Sequence, residues 1–329
     1  MSLSKRASSS PSPTAKKRVA IQSKLKKTLS IDGAEYKESF RFNCGNDVPV
    51  YEVSTVHALN QIIGYAKFNN QSYGNVYYRG ERRLHKSIKP SIFRDCKIIE
   101  KASDRLASII KKISSDPQMQ NEIKVKPDSK DDKSKIEGLL QHYGIPTRFI
   151  DVVDNHWIAL WMGLHKLEKQ KRLNQFYHYS KRSIPLVEFA KGTPVSDELL
   201  FQYILLIAVP FAERNSCSGI KKSTNYLEVD LRQALPSIFL RPHAQHGLVI
   251  RRIVHTDTDG SSPDAYDIAP AVIGIIKIRI DRAREWLGDG SLLTQDNLFP
   301  PPAYDHGYDL LLSRSDLFEE TDCTIARFV

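Results

Sequence analysis

Three runs in the second half of this chain, 203–209 (YILLIAV), 247–254 (GLVIRRIV) and 271–281 (AVIGIIKIRID), are dense in β-branched and aliphatic residues and read as strands. Helix-forming stretches lie near 196–202, around 224–234 and at 281–287. No regular strand–helix–strand rhythm joins them. That mixture predicts an α+β fold: a mixed, mostly antiparallel, curved sheet with flanking helices. No repeat of fixed period is present.

The first half is read the same way. In 50–70, Val56, Leu59, Ile62, Ile63 and Phe68 recur at near-helical spacing, with Ser54 or Thr55 as the cap. A turn leads from there into a short β run over 76–80. Residues 98–114 place Leu106, Ile109, Ile110 and Ile113 on one helical face. The polar stretch 115–135 reads as a solvated loop. A helix from Ser134 to Tyr143 is then broken by Gly144-Ile145-Pro146, because the proline disfavours α geometry at Ile145. After a short extended segment, Asp154 or Asn155 caps an apolar helix beginning HWIALWMGL, which the pattern carries on through HKLEKQKR and places in the core.

The formal net charge of +10 resembles a nucleic-acid signal until it is located. Residues 1–30 contain eight Lys and Arg and no Asp or Glu, so removing them leaves +2 for the rest of the chain. This segment is rich in Ser, Pro and Lys and poor in large apolar residues. It is expected to be a disordered basic tail, with 31–329 as one domain. A weak, salt-sensitive contact with polyanions through 1–30 is the partner such a tail implies. No run of about 18 apolar residues exists, so no membrane partner is expected. The N-terminus has no apolar h-region either, and the expected location is the cytoplasm. Cys44, Cys96, Cys217 and Cys323 are far apart with no CxxC pair, so no metal site or disulfide framework is expected, only free and mostly buried thiols. His165, His178 and His255 are isolated and read as surface or structural.

The stretch Gln141-His142-Tyr143-Gly144-Ile145-Pro146-Thr147-Arg148-Phe149-Ile150-Asp151, followed by Ala159-Leu160 in an apolar helix, resembles the central signature of the bacterial-type FRG-domain family. Tyr78-Arg79-Gly80 resembles the motif that gives the family its name, and 84–94 (LHKSIKPSIFR) the segment after it. Arg241 to Gly247 resembles its R-x-x-x-Q-x-G block, and Leu298-Phe299-Pro300 its close, so the resemblance spans about 50–310. Glu81 stands where the family commonly has Gln, and 301–304 departs from the usual ending. The resemblance implies a mixed α/β fold and leaves the activity open.

Taken as residue types, Arg79 could fork onto a phosphate or carboxylate, or else pair internally with Asp151. His142 could carry a proton near neutral pH and Tyr143 could stack on a base; alternatively His142 bonds its own turn and Tyr143 packs. Arg148 and Asp151 could join each other or face a ligand. The candidate catalytic set is therefore Arg79, His142, Tyr143 and Gln245. The candidate ligand contacts are Tyr78, Gly80, Thr147, Arg148, Asp151 and Arg241. Convergence of these groups suits a nucleotide or another phosphate-containing ligand. The order Arg79, His142-Tyr143, Gln245 is similar to that of mono-ADP-ribosyltransferase-type sites, which makes NAD a candidate cofactor, although no late acid follows Gln245 and Glu228 is the nearest upstream. P-loop, GxGxxG, HExxH and GxSxG motifs are absent. The competing expectation is a non-catalytic ligand-sensing or nucleic-acid-binding module, in a phage-defence or toxin–antitoxin setting. Whether the chain is an enzyme stays open at this level.

Overall fold

A computed structural model describes residues 21–94, 99–169, 176–184, 196–211, 214–254, 262–290, 292–318 and 325–328. Its frame is an open ten-stranded sheet in the order β1-β2-β12-β7-β3-β4-β11-β10-β9-β8. The strands are β1 (Ala34–Arg41), β2 (Asp47–Val53), β3 (Gly74–Glu81), β4 (Ile150–Val153), β7 (Phe201–Pro210), β8 (Arg214–Cys217), β9 (Ile220–Lys222), β10 (Tyr226–Asp230), β11 (Gly247–Arg252) and β12 (Val272–Arg279). Among the described residues of this sheet, only β2 and β12 run parallel. A small second sheet holds β5 (His165–Lys169), β6 (Phe176–Lys181) and β13 (Arg327–Phe328). The α+β class and the mostly antiparallel pairing expected from the sequence are what the structure has.

The apolar runs at 203–209 and 271–281 are central because β7 and β12 are covered on both faces. One face packs under α1 (Val56–Asn70) and α5 (His156–Leu164), with Leu59, Tyr78, Leu160, Ile204 and Ile276 in contact. On the other face Tyr77, Leu205, Ile207, Ile250 and Ile275 form a second apolar layer. A third cluster packs α2 (Ile99–Ser115), α3 (Pro117–Ile123) and α4 (Lys130–His142) against β10, β11 and α7 (His306–Ser313). The remaining longer helix, α6 (Ile280–Leu287), follows β12. Among the described residues, no helix is long and apolar enough to cross a membrane.

Helix α1 starts at Val56 with one of the two expected caps, Thr55, whose Oγ1 accepts from the Ala58 amide at 3.1 Å; residues 50–53 belong to β2. Several other expectations are corrected. The expected loop at 115–135 contains α3 and the first turn of α4. Asp116 and Ser129 are N-caps there, and Met119 and Ile123, one turn apart, are fully buried. Residues 226–230 form a strand rather than a helix, with every residue buried. Helix α5 stops at Leu164, since the polar stretch after it has no core to enter; it continues as β5, paired to β6.

The expected disordered tail is also too long. Leu25 is 4% exposed, and its amide donates to the Ile273 carbonyl at 2.9 Å. Its side chain fills the space over Gly274, where a Cβ would sit 2.4 Å from Leu25 Cδ1. Ser23 and Asn70 exchange two hydrogen bonds of 2.9 Å. Residues 21–30 thus pack onto the body, and 1–20 lie outside the described residues. Cys44 is free and exposed rather than buried. Cys96, Cys323 and His255 lie outside the described residues, as does the side chain of Cys217.

Candidate functional site: a cleft at the split of the sheet

The site begins with an interruption in the ladder. Strand β3 pairs with β7 along its whole length, from Gly74 to Glu81, but with β4 only at Tyr78↔Val153. Beyond that pair the two strands part. Arg79 bridges the opening: its Nη1 donates to the Asp151 carbonyl at 2.8 Å and its Nε to Glu81 Oε1 at 2.6 Å. A guanidinium thus takes the place of the missing ladder bonds. The next residue has to be glycine, because a Cβ at Gly80 would lie 1.9 Å from the Ala159 carbonyl oxygen. The close backbone approach made at this glycine is to α5.

The opening is a cleft of about 450 Å³. On one side stand Tyr78, Arg79, Gly80, Glu81, Arg82 and Arg94; on another, Gln141, His142 and Asp151. Met162, His165 and Tyr179 close it from α5, β5 and β6, and Gln245, Phe299 and Phe328 complete the wall. Phe299 packs on Phe328 at 4.7 Å between ring centroids and on Tyr179 at 4.6 Å, so the three rings form one aromatic surface.

His142 ends α4 and is 8% exposed. Its imidazole rests on Gly247, where a Cβ would come within 2.2 Å of Cε1. Neither ring nitrogen makes a hydrogen bond among the described residues, and Nε2 stands 3.5 Å from Asp151 Oδ1. Burial pushes this imidazole below its ordinary pKa, the Asp151 charge opposes the shift, and the Arg241 charge adds to it. The imidazole is thus buried, with no hydrogen bond to either nitrogen among the described residues. Tyr78 likewise carries a buried hydroxyl with no partner among the described residues, and its ring meets His156 edge-on at 5.8 Å.

Of the predicted site residues, Tyr78, Arg79, Gly80, His142, Asp151 and Gln245 line the cleft. Tyr143, Thr147, Arg148 and Arg241 do not. Tyr143 is fully buried and donates to Asp305 Oδ2 at 2.7 Å, while Asp305 also accepts from the Arg241 and Tyr308 amides. Thr147 donates to Gln141 Oε1 at 2.6 Å and accepts from the Phe149 amide, which locks the Gly-Ile-Pro turn. Gln141 in turn donates to Asp151 Oδ2 at 2.6 Å. Arg148 makes a two-pronged pair with Glu137, at 3.0 and 2.6 Å, so neither the Arg148–Asp151 bridge nor a ligand-facing Arg148 is found. Arg241 is fully buried against the rings of Tyr143, Tyr308 and Phe328, 4.4 to 4.8 Å away, and donates to the His142 carbonyl at 2.9 Å. Its guanidinium faces rings and backbone rather than the cleft. Gln245 holds the aromatic wall in place, donating to the Leu298 carbonyl at 2.6 Å. Glu228 is committed elsewhere, to the Tyr77 hydroxyl and Lys221.

Sequence reasoning missed Tyr179, Phe328, His165 and Arg82. His165 stacks on Trp161 at 3.9 Å and faces the cleft rather than bulk solvent. Arg82 lies two residues past the Tyr-Arg-Gly motif, and that position was its only signal. Among the described residues no group of three or more His, Cys, Asp or Glu could hold a metal ion.

A family model, FRG domain, matches residues 74–172, from the start of β3 past the end of β5. The match is narrower than the 50–310 expected, and the segments around Gln245 and Phe299 lie outside it even though they complete the same cleft. No curated protein and no solved structure matches the chain. The chain therefore carries an FRG domain, and the two motifs by which it is identified form facing walls of one cleft, at the point where the sheet divides.

Proposed function

We propose that the cleft binds a nucleotide or a closely related phosphate-bearing ligand, with NAD as one candidate. The observation that carries this is the meeting of three aromatic rings (Tyr179, Phe299, Phe328) with Arg82 and Arg94 in a single cleft that also holds a buried imidazole with no hydrogen-bond partner among the described residues. A planar base stacks on the rings, and phosphate oxygens meet the guanidinium groups. Buried nitrogens without hydrogen-bond partners among the described residues favour a ligand that supplies them. His142 is the group placed to exchange a proton with the bound molecule, with Asp151 beside it to stabilise the charged imidazolium.

A non-catalytic binding module is favoured by one observation: the carboxylates at the cleft are already engaged, Glu81 by Arg79 and Asp151 by Gln141. Calorimetric titration with AMP, ADP and NAD tests the binding itself, and loss of the heat in His142→Ala assigns it to this cleft. If none of the three binds, the reading is wrong. Release of nicotinamide from NAD by the native chain, absent in His142→Ala, would establish catalysis; binding without release would leave the module.

A further inference from the structure

Beside the cleft lies a second, smaller pocket of about 320 Å³, lined by Arg83, His85, Lys86, Lys89 and Arg94 together with apolar residues that include Phe42 and Phe93. Glu81 and Arg94 belong to the walls of both spaces, so the two are neighbours separated by those side chains. The segment that builds this rim, 82–94, holds five Lys and Arg and no acid, in a chain whose body outside 1–30 is nearly balanced in charge.

The acids that reach the rim come from elsewhere and hold it loosely. Glu81 is already bound to Arg79. Arg83 stands 3.8 Å from Glu198, and both side chains are about half exposed. Lys89 is 2.6 Å from Asp264, a carboxylate 71% exposed. Lys86 donates to the Arg41 carbonyl and lies 4.2 Å from the centre of the Phe40 ring, with no carboxylate in contact among the described residues. Exposed pairs of this kind are weak and screened by salt, so a phosphate can replace them.

We propose that the ligand is a single-stranded nucleic acid, with one nucleotide in the cleft and the adjoining phosphates on the rim of Arg83, Lys86 and Lys89. This rests on the nucleotide reading of the cleft. A mononucleotide fills one of the two spaces and leaves the other empty. A phosphodiester chain presents a base to the aromatic wall and further phosphates to the cations next to it, the combination of ring platform and electropositive track by which single strands are held. The chemistry does not separate RNA from DNA, so both are tested.

The experiment uses the full chain, so that any pull from the basic N-terminus is common to all variants. Fluorescence anisotropy with labelled hexauridylate and hexathymidylate is compared with calorimetric binding of AMP, for the native protein and for Lys86→Gln/Lys89→Gln. At least one hexamer should bind the native chain ten times or more tighter than AMP does. The double variant should lose at least tenfold of that affinity, with AMP binding unchanged within twofold, which also reports an intact cleft. The slope of log affinity against log salt should fall by about 1.4, since each phosphate that no longer meets a lysine removes roughly 0.7. Hexamers that bind no better than AMP, or equally well to both proteins, would overturn the proposal and leave the cleft reading standing. Failure of AMP itself to bind would refute the cleft reading, and this extension with it.

Discussion

Arg79 gives the sharpest test of how the cleft is held open. In Arg79→Ala the charged hydrogen bond from Nη1 to the Asp151 carbonyl disappears; bonds of that kind contribute about 1.5–3 kcal/mol. Glu81, only 19% exposed, is left without its cation, and a buried pair broken from one side costs about 3–5 kcal/mol. The remaining exposure holds both contributions at the low end of their ranges, about 4.5 kcal/mol in all. For a chain of this size that corresponds to a fall in melting temperature of about 6 °C. Arg79→Lys keeps a positive charge near Glu81 but gives up the planar fork that serves two acceptors at once, so about half the loss should return. A double-mutant cycle with Glu81→Gln in urea unfolding should give a coupling above about 1 kcal/mol. A stability change below about 1 kcal/mol in Arg79→Ala would refute the bridge and mean that the guanidinium is available to a ligand.

Gly247→Ala should push the His142 ring aside, because the new methyl would lie 2.2 Å from Cε1; nucleotide binding should fall tenfold or more, and unchanged binding would show that His142 has no part in it. Leu25→Ala should cost about 2–4 kcal/mol in urea unfolding, by opening a cavity over Gly274, whereas a residue in a disordered leader would cost nothing. Burial, reinforced by the Lys67 charge, pushes the His156 imidazole down to about 4. The unfolded chain takes up that proton near pH 6.5 and the folded one only near 4, so stability falls as the pH drops through this window. In His156→Phe the decline should be shallower, and parallel curves for the two proteins would refute the assignment.

The strands, the α+β class and half the cleft were legible because they rest on local pattern. Tyr-Arg-Gly announced a strand and a forked guanidinium, and both occur. Two errors were avoidable. Residues two apart on a strand share a face, so Arg79 and Glu81 were natural partners, while Arg148 and Asp151, three apart on an extended segment, point to opposite sides. The Asp116-Pro117 and Ser129 helix starts were ordinary capping signals hidden in a polar stretch. Other features could not have been read. Arg148 finds Glu137 only because the Gly-Ile-Pro turn folds α4 back alongside it. Tyr179 and Phe328 reach the cleft through the β6–β13 pairing, which joins segments about 150 residues apart and leaves no local trace.

The parallel pairing of β2 with β12 sets a clock on synthesis. Val50 lies beside Ile275, so the inner edge of β2 has no partner until more than two hundred further residues have been made. At ribosomal rates of roughly 5–20 residues per second, that edge waits about 10–45 s on the nascent chain. Through that interval Val48, Val50 and Tyr51, all fully buried in the finished fold, lie along an open strand. Slow, non-local closure of this kind leaves the nascent chain exposed to edge-to-edge association. Yield from cells should therefore respond more to growth temperature and chaperone supply than the stability of the folded protein would suggest.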